Sequence, residues 1–102
     1  MCVEIKVKEL SSFFKKSVGL ILSKNNEPIY FETRFGIHTF FMRKSIDVVV
    51  MDENFIVRVL KIGLKPWKIF VWNPMYYKVL ELPENFTEKK SIKLGCEIKI
   101  LV

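Results

Sequence analysis

The sequence contains no alanine, no glutamine and only one histidine, His38. Its two cysteines, Cys2 and Cys96, are not in a Cys-x-x-Cys pair, and its four glycines and four prolines stand singly along the chain. Each shortage excludes something. One histidine and two separated cysteines cannot supply a zinc cluster. Singly placed glycines make no phosphate-cradling loop, and no Gly-x-Ser-x-Gly elbow is present to carry a nucleophile. No cofactor is therefore expected. No apolar run approaches the roughly 18 residues that a membrane helix needs. The start, Met-Cys-Val-Glu-Ile-Lys, has no apolar signal core. The expectation is a cytoplasmic chain with reduced thiols, the alternative being a Cys2–Cys96 bridge between the terminal strands, or an extracytoplasmic chain if a leader precedes these residues.

What is present favours sheet. Half of the 102 residues are hydrophobic and 14% are aromatic, too much apolar surface for a disordered tail. Isoleucine, valine and phenylalanine are prominent, and these pack well on a pleated surface. The length suits a single domain over residues 1–102. The net charge is +6, which suits nucleic acid or an anionic surface. The lysines often alternate with Ile or Val, however, so solvated strand faces are the plainer account. The abundance of Lys, Glu and Ile without Gln also suits a thermophile.

Alternation predicts a half-buried strand at Val3–Lys8 and another at the end, around Ile98 and Ile100. These two share the same chemistry and could pair at one edge. Ser11 and Ser12 offer caps for a helical turn before Gly19, Leu20–Leu22 is a short apolar segment, and Asn25–Pro28 reads as a turn. Further strands are predicted at Ile29–Phe31, Ile37–Met42, Ile46–Met51, Phe55–Ile62, Lys68–Trp72 and Tyr76–Leu82. Asp52–Asn54 is a hairpin turn and Thr87–Ser91 one helical turn. Ile46–Met51 is apolar on both faces apart from Asp47, as a covered central strand would be. The fold class is mainly β: a small β-sandwich or partly open barrel of about 7–8 short strands with one or two helical turns.

Six segments stand in this order: Val18-Gly-Leu-Ile21, His38-Thr-Phe-Phe-Met-Arg43, Ile46-Asp-Val-Val-Val-Met-Asp52, Leu64-Lys-Pro-Trp67, Val79-Leu-Glu-Leu-Pro83 and Lys93-Leu-Gly95. Over residues 13–102 the chain resembles the uncharacterised family called domain of unknown function 192. The resemblance implies an all-β, sandwich-like domain and no established reaction. Ser45 stands where that family usually has proline, and Cys96 where it usually has aspartate.

The candidate site begins with charge inside apolar strands, which is costly unless paired. His38, Arg43 and Asp47 fall in one such stretch. On a straight strand Arg43 and Asp47 would stand roughly 13 Å apart, with His38 on the other face. They meet only if the chain bends near Lys44–Ser45. Together they could form a pocket in which Arg43 binds an anion, Asp47 orients it and His38 exchanges a proton. The plainer account has Asp47 satisfying backbone N–H groups of a neighbouring turn. Lys65-Pro66-Trp67 could be a rigid platform for a ring-shaped ligand, or Trp67 could be a lid on the core. In the aromatic run Trp67–Tyr77 both strand faces carry large apolar groups. One reading has an exposed face that meets a partner; a doubly buried strand is simpler.

The leading expectation is a non-enzymatic module that binds an unknown small ligand or a protein partner through His38, Arg43, Asp47, Lys65 and Trp67. The alternatives are a hydrolase-like or lyase-like enzyme using Asp47 and His38 as acid and base, and nucleic-acid binding through Trp67–Tyr77, which is not favoured. Neither a catalytic residue nor a metal site is assigned, and the oligomeric state is left open.

Overall fold

Every residue of Ile46–Met51 is buried, and this strand is flanked by a neighbour on each side. The computed structural model of the chain describes residues 3–9, 28–34, 36–40 and 42–101. The described elements are β1 (Val3–Lys6), β2 (Lys8–Glu9), β3 (Ile29–Glu32), β4 (Ile37–His38), β5 (Ile46–Met51), β6 (Val57–Leu64), β7 (Ile69–Phe70), β8 (Lys78–Pro83), α1 (Phe86–Lys89) and β9 (Ile98–Leu101). A five-stranded sheet has the order β2-β3-β8-β5-β6, and two-stranded ribbons are formed by β1 with β9 and by β4 with β7. Within the large sheet β8 runs antiparallel to β3 and β5, and β5 antiparallel to β6, while β2 runs parallel to β3.

The large sheet is apolar on both faces, and each face packs on its own ribbon. Val49, Met51, Leu80, Leu82 and Tyr30 point to one side and meet Ile5 of β1 and Ile98 of β9. Ile46, Val48, Val50, Val79, Ile29 and Phe31 point to the other and meet Ile37 of β4 and Phe70 of β7. A fully buried valine contributes roughly 1.5–3 kcal/mol, so Val48, Val49 and Val50 anchor both layers. The expected pairing of the first and last strands is present, and it is parallel, with Val3 opposite Ile98. The Lys99–Glu4 ion pair on this ribbon is exposed at 3.7 Å and contributes little.

Two predicted strands are shorter than expected, Lys68–Trp72 being a strand only at Ile69–Phe70. Among the described residues, Ile37–Met42 is a strand only at Ile37–His38, because Thr39 leaves the ladder: its carbonyl accepts the N–H of Met42 at 3.2 Å and that of Trp67 at 3.0 Å. Cys96 is disulfide-bonded, which corrects the expectation of reduced thiols, while Cys2 lies outside the described residues. The predicted caps at Ser11 and Ser12, the apolar segment Leu20–Leu22 and most of the turn at Asn25–Pro28 also lie outside them. Among the described residues no helix is long and apolar enough to cross a membrane.

Candidate functional site

Three rings stand in a row at the outer side of the β4–β7 ribbon. His38 and Phe40 stack with centroids 4.8 Å apart and planes 27° from parallel. Phe40 and Trp67 follow at 5.7 Å and 28°. The row has a local cause. Pro66 presets the turn's φ, and Trp67 takes the next turn position at φ 63°, where glycine is the usual residue. A left-handed backbone costs a bulky L-residue about 1–2 kcal/mol, so the surroundings must hold it. Thr39 does so. Its hydroxyl donates to the Lys65 carbonyl at 2.6 Å and accepts the Lys68 N–H at 2.9 Å, and its own N–H donates to the Lys68 carbonyl at 2.9 Å. Thr39 is fully buried, while Trp67 is 60% exposed. An indole that open is not a lid on the core.

The other predicted site residues divide. Lys65 flanks the turn and is exposed. Arg43 and Lys44, also exposed, sit at a bend just past the Met42–Thr39 bond, so the break needed near Lys44–Ser45 is present. Asp47 does not join them. It is fully buried on the sheet face that carries Leu82, and both carboxylate oxygens are engaged. Oδ1 accepts Gly63 N–H at 3.0 Å; Oδ2 accepts Thr87 N–H at 3.1 Å and the Thr87 hydroxyl at 2.6 Å. Two residues of β6, Ile62 and Gly63, oppose Asp47 in a bulge, with Gly63 at φ 70°. Asn85, at the start of α1, makes no side-chain cap. Asp47 thus caps that helix from a distant strand and pins the bulge as well. An acid–base pair of Asp47 with His38 lacks an accessible carboxylate.

These geometries can be set beside known proteins. No family model matches the chain. A UPF0127 protein from Pyrococcus horikoshii is 36% identical over 103 residues, covering 94% of this chain and 88% of the relative. One from Pyrococcus abyssi is 34% identical over 103 residues, covering 94% and 86%. This chain belongs to the UPF0127 family. That family is uncharacterised, and its relatives here are thermophilic archaeal proteins, in keeping with the composition. Two solved structures have a similar fold, each with a TM-score of 0.71. A Novosphingobium aromaticivorans protein of unknown function is 13% identical, covering 87% of this chain and 70% of that one. A Sinorhizobium meliloti protein described as a candidate transcription regulator is 14% identical, covering 87% and 76%. At such identity the likeness concerns the fold alone.

The charge of this UPF0127 chain is unevenly placed. Of seventeen Lys and Arg and eleven Asp and Glu, six cations and no acid fall in residues 33–46 and 59–77. Eleven of each sign remain elsewhere, so the excess of +6 falls in these two segments, and four of the six cations, Arg43, Lys44, Lys65 and Lys68, are close in sequence to the rings. Nearby apolar side chains are open too: Ile69 is 67% and Val71 64% exposed, while Phe70 and Trp72 pack inward. The simpler expectation of a doubly buried strand fails here. At the Asp52 turn the carboxylate is engaged by Arg58 at 2.8 Å. Burial pushes its carboxyl up, but hydrogen bonds from Arg58 and the backbone of Ile56 and Asn54 outweigh this and hold it below its ordinary value.

Three participants escaped the sequence reading. Phe40 sits two residues from His38, and aromatic spacing could have flagged it. Thr39 gives no signal, because a threonine in a β-prone run is ordinary. Glu81 has the same signature that singled out Asp47, a carboxyl inside an apolar strand. It lies between Ile29 and Val48, its Oε2 has no partner among the described residues, and burial pushes its carboxyl well above the ordinary value.

Proposed function

We propose that this UPF0127 chain is a non-enzymatic binding module. Its ligand or partner is received on the row His38–Phe40–Trp67 and by the cations Arg43 and Lys65. The observation that carries this reading is Trp67. A large aromatic side chain occupies a turn position that favours glycine, is fixed there through Thr39, and is nevertheless mostly exposed. Strain of this kind persists where surroundings over-determine it, and it clusters at ligand clamps. The ordered motifs that resemble domain of unknown function 192 fit the same picture of a β domain without a catalytic signature.

The reading is tested by NMR titration of the isotope-labelled chain with three probes: a mononucleotide, a short oligosaccharide and an acidic peptide. Shifts centred on His38, Phe40, Lys65 and Trp67, abolished by Trp67→Ala with the remaining spectrum unchanged, are expected for at least one. Shifts centred elsewhere, or none with any probe, would sink the proposal.

A further inference from the structure

We infer that the ligand class of this platform is single-stranded nucleic acid; the inference rests on the reading of the His38–Phe40–Trp67 row as the binding surface. Two independent observations meet here. The first is the row itself, three rings at 4.8 and 5.7 Å with planes 27° and 28° apart, which cover one another and end in an indole 60% exposed. Every base has a flat face, so stacking on aromatic side chains serves single strands of any sequence. The second is the field. Arg43, Lys44, Lys65 and Lys68 are exposed within a few residues of the ring-bearing positions in the chain, and residues 33–46 and 59–77 contain no carboxylate. Phosphates are drawn to such a surface.

Other ligand classes fit less well. A sugar platform pairs its aromatic face with acceptors for hydroxyl groups, and residues 33–46 and 59–77 supply no carboxylate for that task. A cationic ligand would be repelled. A duplex keeps its base faces stacked inside, and the described helix, Phe86–Lys89, is too short to enter a groove. Unstacked bases beside a phosphate chain match both the rings and the lysines.

The test is fluorescence anisotropy with labelled oligouridylate, oligodeoxythymidylate and a duplex of the same length, across a salt series. The unaltered chain is expected to bind both single strands more tightly than the duplex. Trp67→Ala should weaken binding about tenfold or more. Lys65→Ala with Lys68→Ala should flatten the plot of log affinity against log salt by about 1.4, at roughly 0.7 per lost phosphate contact. Lys93→Ala, an exposed cation outside the two segments, should change little. Tighter binding to the duplex, or no binding to either oligomer at low salt, overturns the inference. In that case Trp67-dependent shifts with the oligosaccharide or acidic peptide would leave the platform standing. Oligomer binding that Trp67→Ala does not weaken overturns the platform and the inference together.

Discussion

Removing the Asp47 carboxylate would strand three donors at once: the N–H groups of Gly63 and Thr87, and the Thr87 hydroxyl. An unsatisfied buried donor costs about 1–3 kcal/mol. Asp47→Ala is therefore expected to lower stability by about 3 kcal/mol or more, read as a fall in the urea midpoint at unchanged m value. Glu81 behaves in the opposite sense. Its folded carboxyl holds a proton more tightly than the unfolded one, whose ordinary value is 4.5. The folded state binds more protons, so stability falls as pH rises above the ordinary carboxyl range, until the buried group itself ionises. Glu81→Gln should remove this slope and leave the variant more stable than the unaltered chain near neutral pH. A stability-against-pH curve from roughly pH 4 to 9 checks it. The two carboxyls look alike in sequence, each a charge in an apolar strand. Only the donors brought by other elements separate a satisfied Asp47 from an orphaned Glu81. Sequence can name both positions but cannot rank them.

At the scale of elements, the strands with strong patterning were legible: β1, β3, β5, β8 and β9 all lie where alternation or apolar runs placed them. The ribbon β4–β7 was read as longer strands, because its limits come from hydrogen bonds made at a distance. Thr39 meets a turn some 26 residues away, and no local pattern reports that. The knot has a measurable weight. Thr39→Val keeps the shape but removes the hydroxyl, leaving the Lys65 carbonyl and Lys68 N–H without that partner. A loss of about 1–3 kcal/mol is expected, together with larger backbone amide shift changes at residues 65–68 than in β5. Unchanged shifts in the turn would mean that the ring row holds itself.

Across the whole molecule, the sheet's two apolar faces explain why the strand pattern is near-continuous rather than alternating at β5, and this was readable from Ile46–Met51. The pairing of the first and last strands was readable from their shared alternation; what sequence could not supply is which face that ribbon covers, or that β4 and β7 join to cover the other. The disulfide at Cys96 adds a covalent restraint next to β9. Cys96→Ser is expected to cost about 2–5 kcal/mol, and a thiol reductant should lower the unfolding temperature of the unaltered chain but not of the variant.

Because β1 and β9 run in the same direction with four residue pairs in register, tension applied at Val3 and Leu101 acts along the strands in opposite senses. The ribbon's hydrogen bonds then share the load and must shear together rather than unzip one by one. With the disulfide reduced, a single molecule stretched between these two residues should resist to a higher rupture force than one stretched between Val57 and Leu101. The same ladder that closes one face of the sheet would then serve as a mechanical clamp.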